Sequence, residues 1–297
     1  MDQIKLLTVF LTFSILQANQ FNLTVAAIFK DEAPYLKEWI EYHKLMGVEH
    51  FRLYNNDSED DYQTVLASYI AHGEVTLIEW PSSKQDLIRW AFLTQLPAYL
   101  DAIQHFKGKS RWVALIDIDE FLLPLEQPNM LAFLKDYEDY PGVVLNWQCF
   151  GTSFIQDIPT GKLMIETLTL KADEYSNRNI AVKSIVQPNY VNIHKTAWVP
   201  HTFHYLNNKP AVFPDKTERE ETLNQAKWEI KSEKAVINHY VHRTERYFWN
   251  TKIAKKLRME NGGVITDKYV KEWYDDCNQI EDIRILRFVD ELHRRLQ

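Results

Sequence analysis

Two cysteines in 297 residues, Cys149 and Cys277, are too few for a disulfide framework, and two free thiols are expected rather than one bridge. No basic stripe runs along the chain. The net charge is −7 with both signs interspersed, which excludes the electrostatic footprint of a nucleic-acid binder. The first long loop, "FKDEAPY" (Phe29 to Tyr35), holds no glycine, so the Gly-rich, cation-bearing phosphate loop of a nucleotidyltransferase is missing. There is no internal repeat and no low-complexity tract. The apolar run from Ile4 to Leu16, broken by Thr8, Thr12 and Ser14, is too short to span a bilayer comfortably. One lysine precedes it and "QANQ" follows, so residues 1–20 are expected to act as a signal segment or short anchor. Membrane association or the secretory pathway follows if they do, and a cytoplasmic location if they do not. The N-x-S/T triplets at Asn22 and Asn56 carry weight only in the secretory case.

What is present is apolar substance: 45% apolar and 13% aromatic residues supply a sizeable core for one large α/β domain or two small ones. "NLTVAAIF" (Asn22 to Phe29) is a continuous β-prone run, the mark of a strand buried on both faces. In the next segment Leu36, Trp39, Ile40, His43 and Met46 share one helical face, and Gly47 stops it. "VEHFRLYNND", "EVTLIEW", "RWVALI" and "GVVLNWQCF" predict further strands, alternating with helices that include a long one from about Gln85 to Phe106. Such alternation predicts a mostly parallel sheet with helices on both faces, binding ligands beyond the carboxyl ends of its strands. After about Gly151 the alternation decays. "KLMIETLTLK" and "IAVKSIVQPNYVNIH" predict a smaller antiparallel region, and the tail from Glu245 is an amphipathic helix interrupted near Asn261 to Gly263. The expected organisation is a terminal segment (1–20), a ligand-binding half (21–150) and a second half (151–297).

The most informative stretch is "WVALIDIDEFLLP" (Trp112 to Pro124), where an apolar strand ends in Asp117, Asp119 and Glu120. Crowded carboxylates repel one another and are costly to desolvate without compensation. A divalent cation is the simplest remedy, and hard oxygen ligands suit Mg²⁺ or Mn²⁺. At a strand end, positions two apart point the same way, so Asp117 and Asp119 are expected to face one crevice, with Glu120 turned aside to anchor the loop. An ion held by few protein groups leaves positions free for the phosphates of a departing diphosphate. A phosphatase of the haloacid dehalogenase type is excluded on two counts: Phe121 stands where a small or β-branched residue is needed, and the motif follows three earlier strands.

With D-x-D placed after the fourth strand, the sequence resembles a GT-A glycosyltransferase. The blocks "AAIFKDEAPYLKEWIEYHKLMGVEHFRLYNNDSEDD", "WVALIDIDEFLLP", "WQCFGTS", "KSIVQP" and "INHYVHRTERYF" are similar to successive blocks of glycosyltransferase family 92, over most of residues 23–255. The resemblance implies a GT-A fold with an acceptor-side antiparallel region. It also implies metal-dependent, inverting transfer of a sugar, galactose, from a nucleotide donor such as UDP-galactose onto a glycan or related acceptor. Lys30, Asp31 and Glu32 then close the first strand where such enzymes bind the nucleoside, and Asp57 stands where an acidic residue contacts base or ribose. Asp117, Asp119 and His239 match metal ligands, and Lys183 and Arg243 would meet the diphosphate. The sequence departs from the family where relatives tend to carry Lys-Ser after "HY-x-x" and this chain carries Arg243 and Thr244.

Inversion requires a base that takes the acceptor hydroxyl's proton. Asp157, Glu218 and Glu220 are the leading candidates, with Asp173, Glu174 and Glu221 also eligible. Trp147, Phe150 and Trp198 are candidates to stack on sugar faces. Two other classes fit part of the pattern: a nucleotidyltransferase, and a nucleotide- or glycan-binding protein of the same fold without turnover.

Overall fold

The computed structural model describes residues 19–82, 87–195, 200–220, 229–254 and 266–297. The apolar N-terminal run, Trp198, Glu221 and the interruption at Asn261 to Gly263 lie outside the described residues. Among the described residues no helix is long and apolar enough to cross a membrane.

β1 (Phe21–Phe29) lies in the parallel half of the sheet, between β2 (His50–Asn55) and β4 (Ser110–Leu115), and β3 (Val75–Glu79) adds to β2 in parallel. The alternation of β1 explains its largely apolar sequence. Leu23, Val25, Ala27 and Phe29 pack into one core with α1 (Ala33–Leu45) and α2 (Tyr62–Ala71). Ala26 and Ile28 point the other way, into a second core. That core is covered by a helical run made of α3 (Leu87–Trp90), a π-helical turn (Ala91–Gln95) and α4 (Leu96–Phe106). A strand enclosed on both faces is mostly apolar, and its buried Thr24 is satisfied by bonds from its hydroxyl to Ser110 Oγ (3.2 Å) and the Trp112 carbonyl (3.2 Å).

The remaining strands are β5 (Glu120–Pro124), β6 (Gly142–Cys149), β7 (Leu170–Lys171), β8 (Val182–Val186), β9 (Ala235–His239) and β10 (Ile280–Glu281). The short helices α5 (Met130–Leu134), α6 (Met164–Thr167) and α7 (Glu245–Tyr247) and the longer α8 (Asp267–Asp276) and α9 (Val289–Leu296) complete the fold. The large sheet runs β3-β2-β1-β4-β8-β6-β9-β5, and β7 and β10 form a separate antiparallel pair. β8 is antiparallel to both neighbours, β9 is parallel to β6, and β5 is antiparallel to β9. The mixed α/β architecture, parallel on one side and antiparallel on the other, is the predicted one. Three details differ. "KLMIETLTLK" is a helical turn followed by a two-residue strand. Phe121, Leu122 and Leu123, for which no strand was predicted, form a buried strand of the main sheet. β8, from the second half of the chain, is inserted between β4 and β6 of the first. Both cysteines are free and buried.

α1 anchors β5, and so the acidic stretch at its start. Gly47 at φ 91° ends the helix, and a Cβ built there would sit 2.7 Å from the Leu131 Cβ, so glycine is required. Along the buried face, Trp39 Nε1 donates to the Glu120 carbonyl (2.8 Å) and the Tyr42 hydroxyl to the Leu122 carbonyl (2.9 Å). His43 completes the seam. Its Nδ1 lies 2.8 Å from the Trp39 carbonyl and its Nε2 3.4 Å from the Leu122 amide nitrogen. Only a neutral ring donates through Nδ1 while accepting at Nε2.

Burial holds His43 down at about 3, against the pull of its bond to Trp39. A base depressed in the fold stabilises it fully above its unfolded pKa of about 6.5. That stability is lost as pH falls through 6.5 toward 3, at roughly 1.4 kcal/mol per pH unit for the one proton. Urea unfolding of wild type and His43→Leu across this range should show the slope reduced by that amount in the variant. An identical slope in the two proteins would dismiss the neutral-ring assignment.

Candidate active site

β4 ends at Leu115, two residues before Asp117, so the period-two rule for strands does not govern the acidic pair. A turn closed by the Glu120 amide on the Asp117 carbonyl (3.2 Å) sends the two side chains to different partners. Asp117 turns toward α4 and β8. Its Oδ1 accepts from Gln95 Nε2 (2.9 Å) and the Tyr99 hydroxyl (2.9 Å), and its Oδ2 from Lys183 Nζ (2.8 Å). Asp119 turns toward β9, its Oδ2 lying 3.6 Å from His239 Nε2. β5–β9 pairing puts Glu120 opposite His239, and the Tyr240 amide donates to the Asp119 carbonyl (2.8 Å). The late histidine is thus brought to the acidic turn by strand register.

Three carboxyl groups in four positions are reconciled in three different ways. Lys183, fully buried, neutralises Asp117 and stands 3.6 Å from Glu120 Oε2. Burial works against ionisation of Asp117, but Lys183 overcomes it and holds the carboxyl below its ordinary range. Burial pushes Glu120 well above the usual carboxylate range, and the charges of Asp117 and Asp119 add to this against the pull of Lys183. A single cation therefore balances a single anion while the Glu120 carboxyl keeps its proton. Glu120 Oε2 accepts the Asp117 amide (2.9 Å) and anchors the turn, as predicted for its loop. Asp119 is left open. Burial would raise its carboxyl, yet His239, and more distantly Lys252 and Arg243, hold it far below the ordinary value.

This geometry bears on a metal. Among the described residues no cluster of three or more His, Cys, Asp or Glu is placed to hold an ion. Asp117 spends both oxygens on protein donors, so the three-ligand set expected from sequence contracts to Asp119 and His239. Among the described residues buried His239 Nδ1 meets no hydrogen-bond partner, and the ring is held by strand pairing and by Trp147, whose ring lies 4.3 Å away. One carboxylate and one imidazole, side by side, the carboxylate 14% exposed and the imidazole buried, fit a hard cation that completes its shell from phosphate oxygens and water.

The loops after β1 and β2 form the neighbouring rim. Lys30 Nζ donates to the Asp57 carbonyl (2.7 Å), the Asp31 amide to Ser58 Oγ (2.9 Å), and the Glu59 amide to Asp31 Oδ1 (2.7 Å). Asp57 Oδ2 accepts the Ser82 amide (3.0 Å). Asp31 and Asp57 sit in the left-handed region at φ 57° and 58°, where Asp is better tolerated than most residues. Glu32 joins a different group, pairing through Oε2 with Arg243 Nη2 at 2.6 Å. Arg243 is buried, lies at φ 54°, and is stacked between Tyr35 (4.0 Å) and Tyr247 (4.5 Å). Among the described residues its Nε and Nη1 meet no hydrogen-bond partner. Lys183 and Arg243, both expected at the diphosphate, are thus committed to ion pairs inside the protein.

The base candidates are scattered. Asp157 lies on the loop after β6, bound in a two-point ion pair by Arg246 (2.7 and 2.7 Å), which holds its carboxyl below the ordinary value. Glu218 bridges to Val212, which pairs with Val143. Val143 is six residues before Cys149 on β6, so Glu218 sits about 20 Å from the crevice end of the strand. The Arg219 amide bonds the Ala211 carbonyl (2.8 Å), which keeps Glu220 on the same limb. Neither Glu218 nor Glu220 reaches the acidic turn, a correction that follows from strand direction. Phe150 is wholly buried, as a core residue is.

Tyr99, Gln95 and His201 belong to the site without having been singled out from sequence. Gln95 closes the π-helical turn, a local widening that often marks functional positions and rotates the side chains that follow. His201 lies against Trp147 at 5.4 Å, and burial, reinforced by Lys183, holds it down at about 3. An unusual density of histidine after residue 190 was its only trace in the sequence.

The sheet, its two helical faces and an acidic turn beyond β4 make this a GT-A-type fold. Residues 20–292 match the sequence model of glycosyltransferase family 92, and the chain belongs to that family. A glycosyltransferase family 92 protein of Ricinus communis is 24% identical over 273 residues, covering 88% of this chain and 40% of the relative. One from Oryza sativa subsp. japonica is 27% identical over 262 residues, covering 86% of this chain and 38% of the relative. The chain thus spans about two-fifths of the length of the curated relatives it matches. Among solved structures, S. aureus TarS 1–349 aligns over 86% of this chain and 70% of that one, with 12% identity and a TM-score of 0.39. The same protein in complex with UDP-GlcNAc aligns with 11% identity and a TM-score of 0.38.

Proposed function

We propose that this chain is a metal-dependent glycosyltransferase that moves galactose from a UDP-linked donor to a glycan or related acceptor, with inversion at the anomeric carbon. The observation that carries the proposal is the Asp119–His239 pair, 3.6 Å apart on the crevice side of a family 92 fold. A bound Mn²⁺ or Mg²⁺, held by these two residues, would supply positive charge to the departing nucleoside diphosphate.

The other residues define and orient the crevice. Lys30, Asp31 and Asp57 form the rim where the nucleoside would lie. Asp117 keeps 31% of its side chain open. Its negative charge is fixed by Lys183, so it can accept a hydrogen bond from a hydroxyl or a water on the donor side. Arg243 adds positive charge behind Asp119 without being exposed. Asp157 is a weak base while Arg246 holds it, because a base must have a pKa near the working pH.

Calorimetry with UDP, with and without Mn²⁺, tests the metal role, and consumption of UDP-galactose tests turnover. UDP should bind only when Mn²⁺ is present, and the donor should be consumed. UDP binding of equal strength in EDTA would remove the metal from the proposal. Binding without consumption, across a panel of nucleotide sugars, would leave a binding protein.

A further inference from the structure

Two consecutive residues of the loop after β6 lie in the left-handed region, Ser153 at φ 51° and Phe154 at φ 60°. Such backbone is disfavoured for any residue with a Cβ and persists only where its surroundings over-determine it. Here they do. The Ser153 amide donates to Asn278 Oδ1 (2.8 Å), the Phe154 amide to Thr152 Oγ1 (3.2 Å) and the Leu170 amide to Ser153 Oγ (2.8 Å). The effect of all this holding is to keep a phenylalanine in water, 63% exposed.

Phe154 is not alone. Trp249, on a second π-helical turn (Phe248–Ile253), is 47% exposed, and Tyr274 of α8 lies between the two. The Tyr274 ring is 6.1 Å from Phe154, edge-on at 65°, and 5.6 Å from Trp249, tilted by 33°. One carboxylate fixes the arrangement by its edges. Glu245 Oε2 accepts from Trp249 Nε1 (2.8 Å), and Oε1 accepts from the Tyr274 hydroxyl (2.5 Å) and from Thr152 Oγ1. Phe154 and Trp249 keep ring surface in solvent, while Tyr274 packs against Phe248 and His242 and supports them.

We infer that Phe154, Trp249 and Tyr274 form a platform for the acceptor's sugar ring. A pyranose has the complementary surface: an apolar face of C–H bonds within a girdle of hydroxyls. Aromatic faces meet the first and polar groups such as Glu245 and Asp157 meet the second. Tyr274 of the platform and Trp147 of the crevice pack against the same apolar cluster. Trp249 stands three residues before Lys252, whose charge acts on Asp119, and the strand that leads into the Phe154 loop carries Trp147 against His239. An acceptor seated there lies beside the donor site, where transfer requires it. The inference rests on the glycosyltransferase reading above.

The test is saturation-transfer NMR on the full chain loaded with UDP and Mn²⁺, with methyl β-galactopyranoside, methyl β-glucopyranoside and methyl α-mannopyranoside as probes. At least one should receive saturation on its ring C–H protons. Its apparent Kd should rise roughly five- to tenfold in Trp249→Ala and Phe154→Gly, and recover in Trp249→Phe, with UDP binding unchanged in each. Phe154→Gly separates platform from scaffold, because glycine adopts the positive φ freely. Its Tm should hold or rise while sugar binding falls, whereas a structural phenylalanine would lower Tm. UDP binding with no pyranoside response, or a response equal in wild type and variants, overturns the platform alone. Failure of the wild type to bind UDP overturns the glycosyltransferase reading and the platform with it.

Discussion

Asp119→Ala is expected to lower sugar transfer by roughly a hundred- to a thousandfold, the scale seen when a preorganised electrostatic partner of the reacting group is removed. The reason is local. Among the described residues the Asp119 side chain pairs with His239 alone, whereas both oxygens of Asp117 are taken by Gln95, Tyr99 and Lys183, and His239 offers no second carboxylate to replace it. The fold should survive, because the turn is closed by backbone bonds from Glu120 and Tyr240 that the substitution leaves in place. EDTA should reduce wild-type turnover to the level of the variant and leave the variant's residual rate unchanged. Turnover in Asp119→Ala within a few-fold of wild type, with Tm preserved, would end the claim that this carboxylate serves the reaction.

Lys183→Met should produce the largest loss of stability. It removes the cation that balances Asp117 and leaves a carboxylate facing Tyr99 and a fully buried Glu120. Breaking a buried pair on one side costs about 3–5 kcal/mol. The lower end, about 3 kcal/mol, is expected here because Asp117 keeps 31% of its side chain in contact with solvent. The sign of the pH dependence follows from Asp117. Its carboxyl is depressed in the fold, so the stability it contributes is present above the unfolded value and lost as pH falls. The deficit of the variant should therefore be greatest near neutrality and shrink below about pH 4. Denaturant unfolding of wild type, Lys183→Met and Lys183→Met/Glu120→Gln measures this. If Lys183→Met lost only donor affinity, with stability intact, the lysine would be reaching the diphosphate rather than holding the turn.

Much of this was legible in the chain itself. β1 could be recognised because a strand sealed on both faces is a near-continuous apolar run, and α1 because its apolar face recurs at helical spacing and ends at Gly47. The acidic turn stood out because carboxylates crowded at the end of an apolar run demand an explanation. What could not be read is what depends on distant partners. Lys183 looks like any surface lysine until β8 is known to lie beside β4. Arg243 looks like a solvent-facing cation until Tyr35 and Tyr247 close over it. The base candidates were chosen by type and half of the chain, and strand direction, which no local pattern encodes, carried Glu218 to the wrong end of β6. The direction of Asp117 was missed for a smaller reason: the strand stopped two residues sooner than its apolar run suggested.

The insertion of β8 between β4 and β6 has a practical corollary. A gene truncated near codon 150 would yield a polypeptide in which β4 exposes one uncapped edge and β6, without β8 and β9, exposes both, the kind of ribbon that recruits a neighbour and precipitates. The halves are therefore interleaved rather than modular. Swapping acceptor preference between homologues should be done by exchanging surface loops such as 151–158, and a crossover near residue 150 should give inclusion bodies.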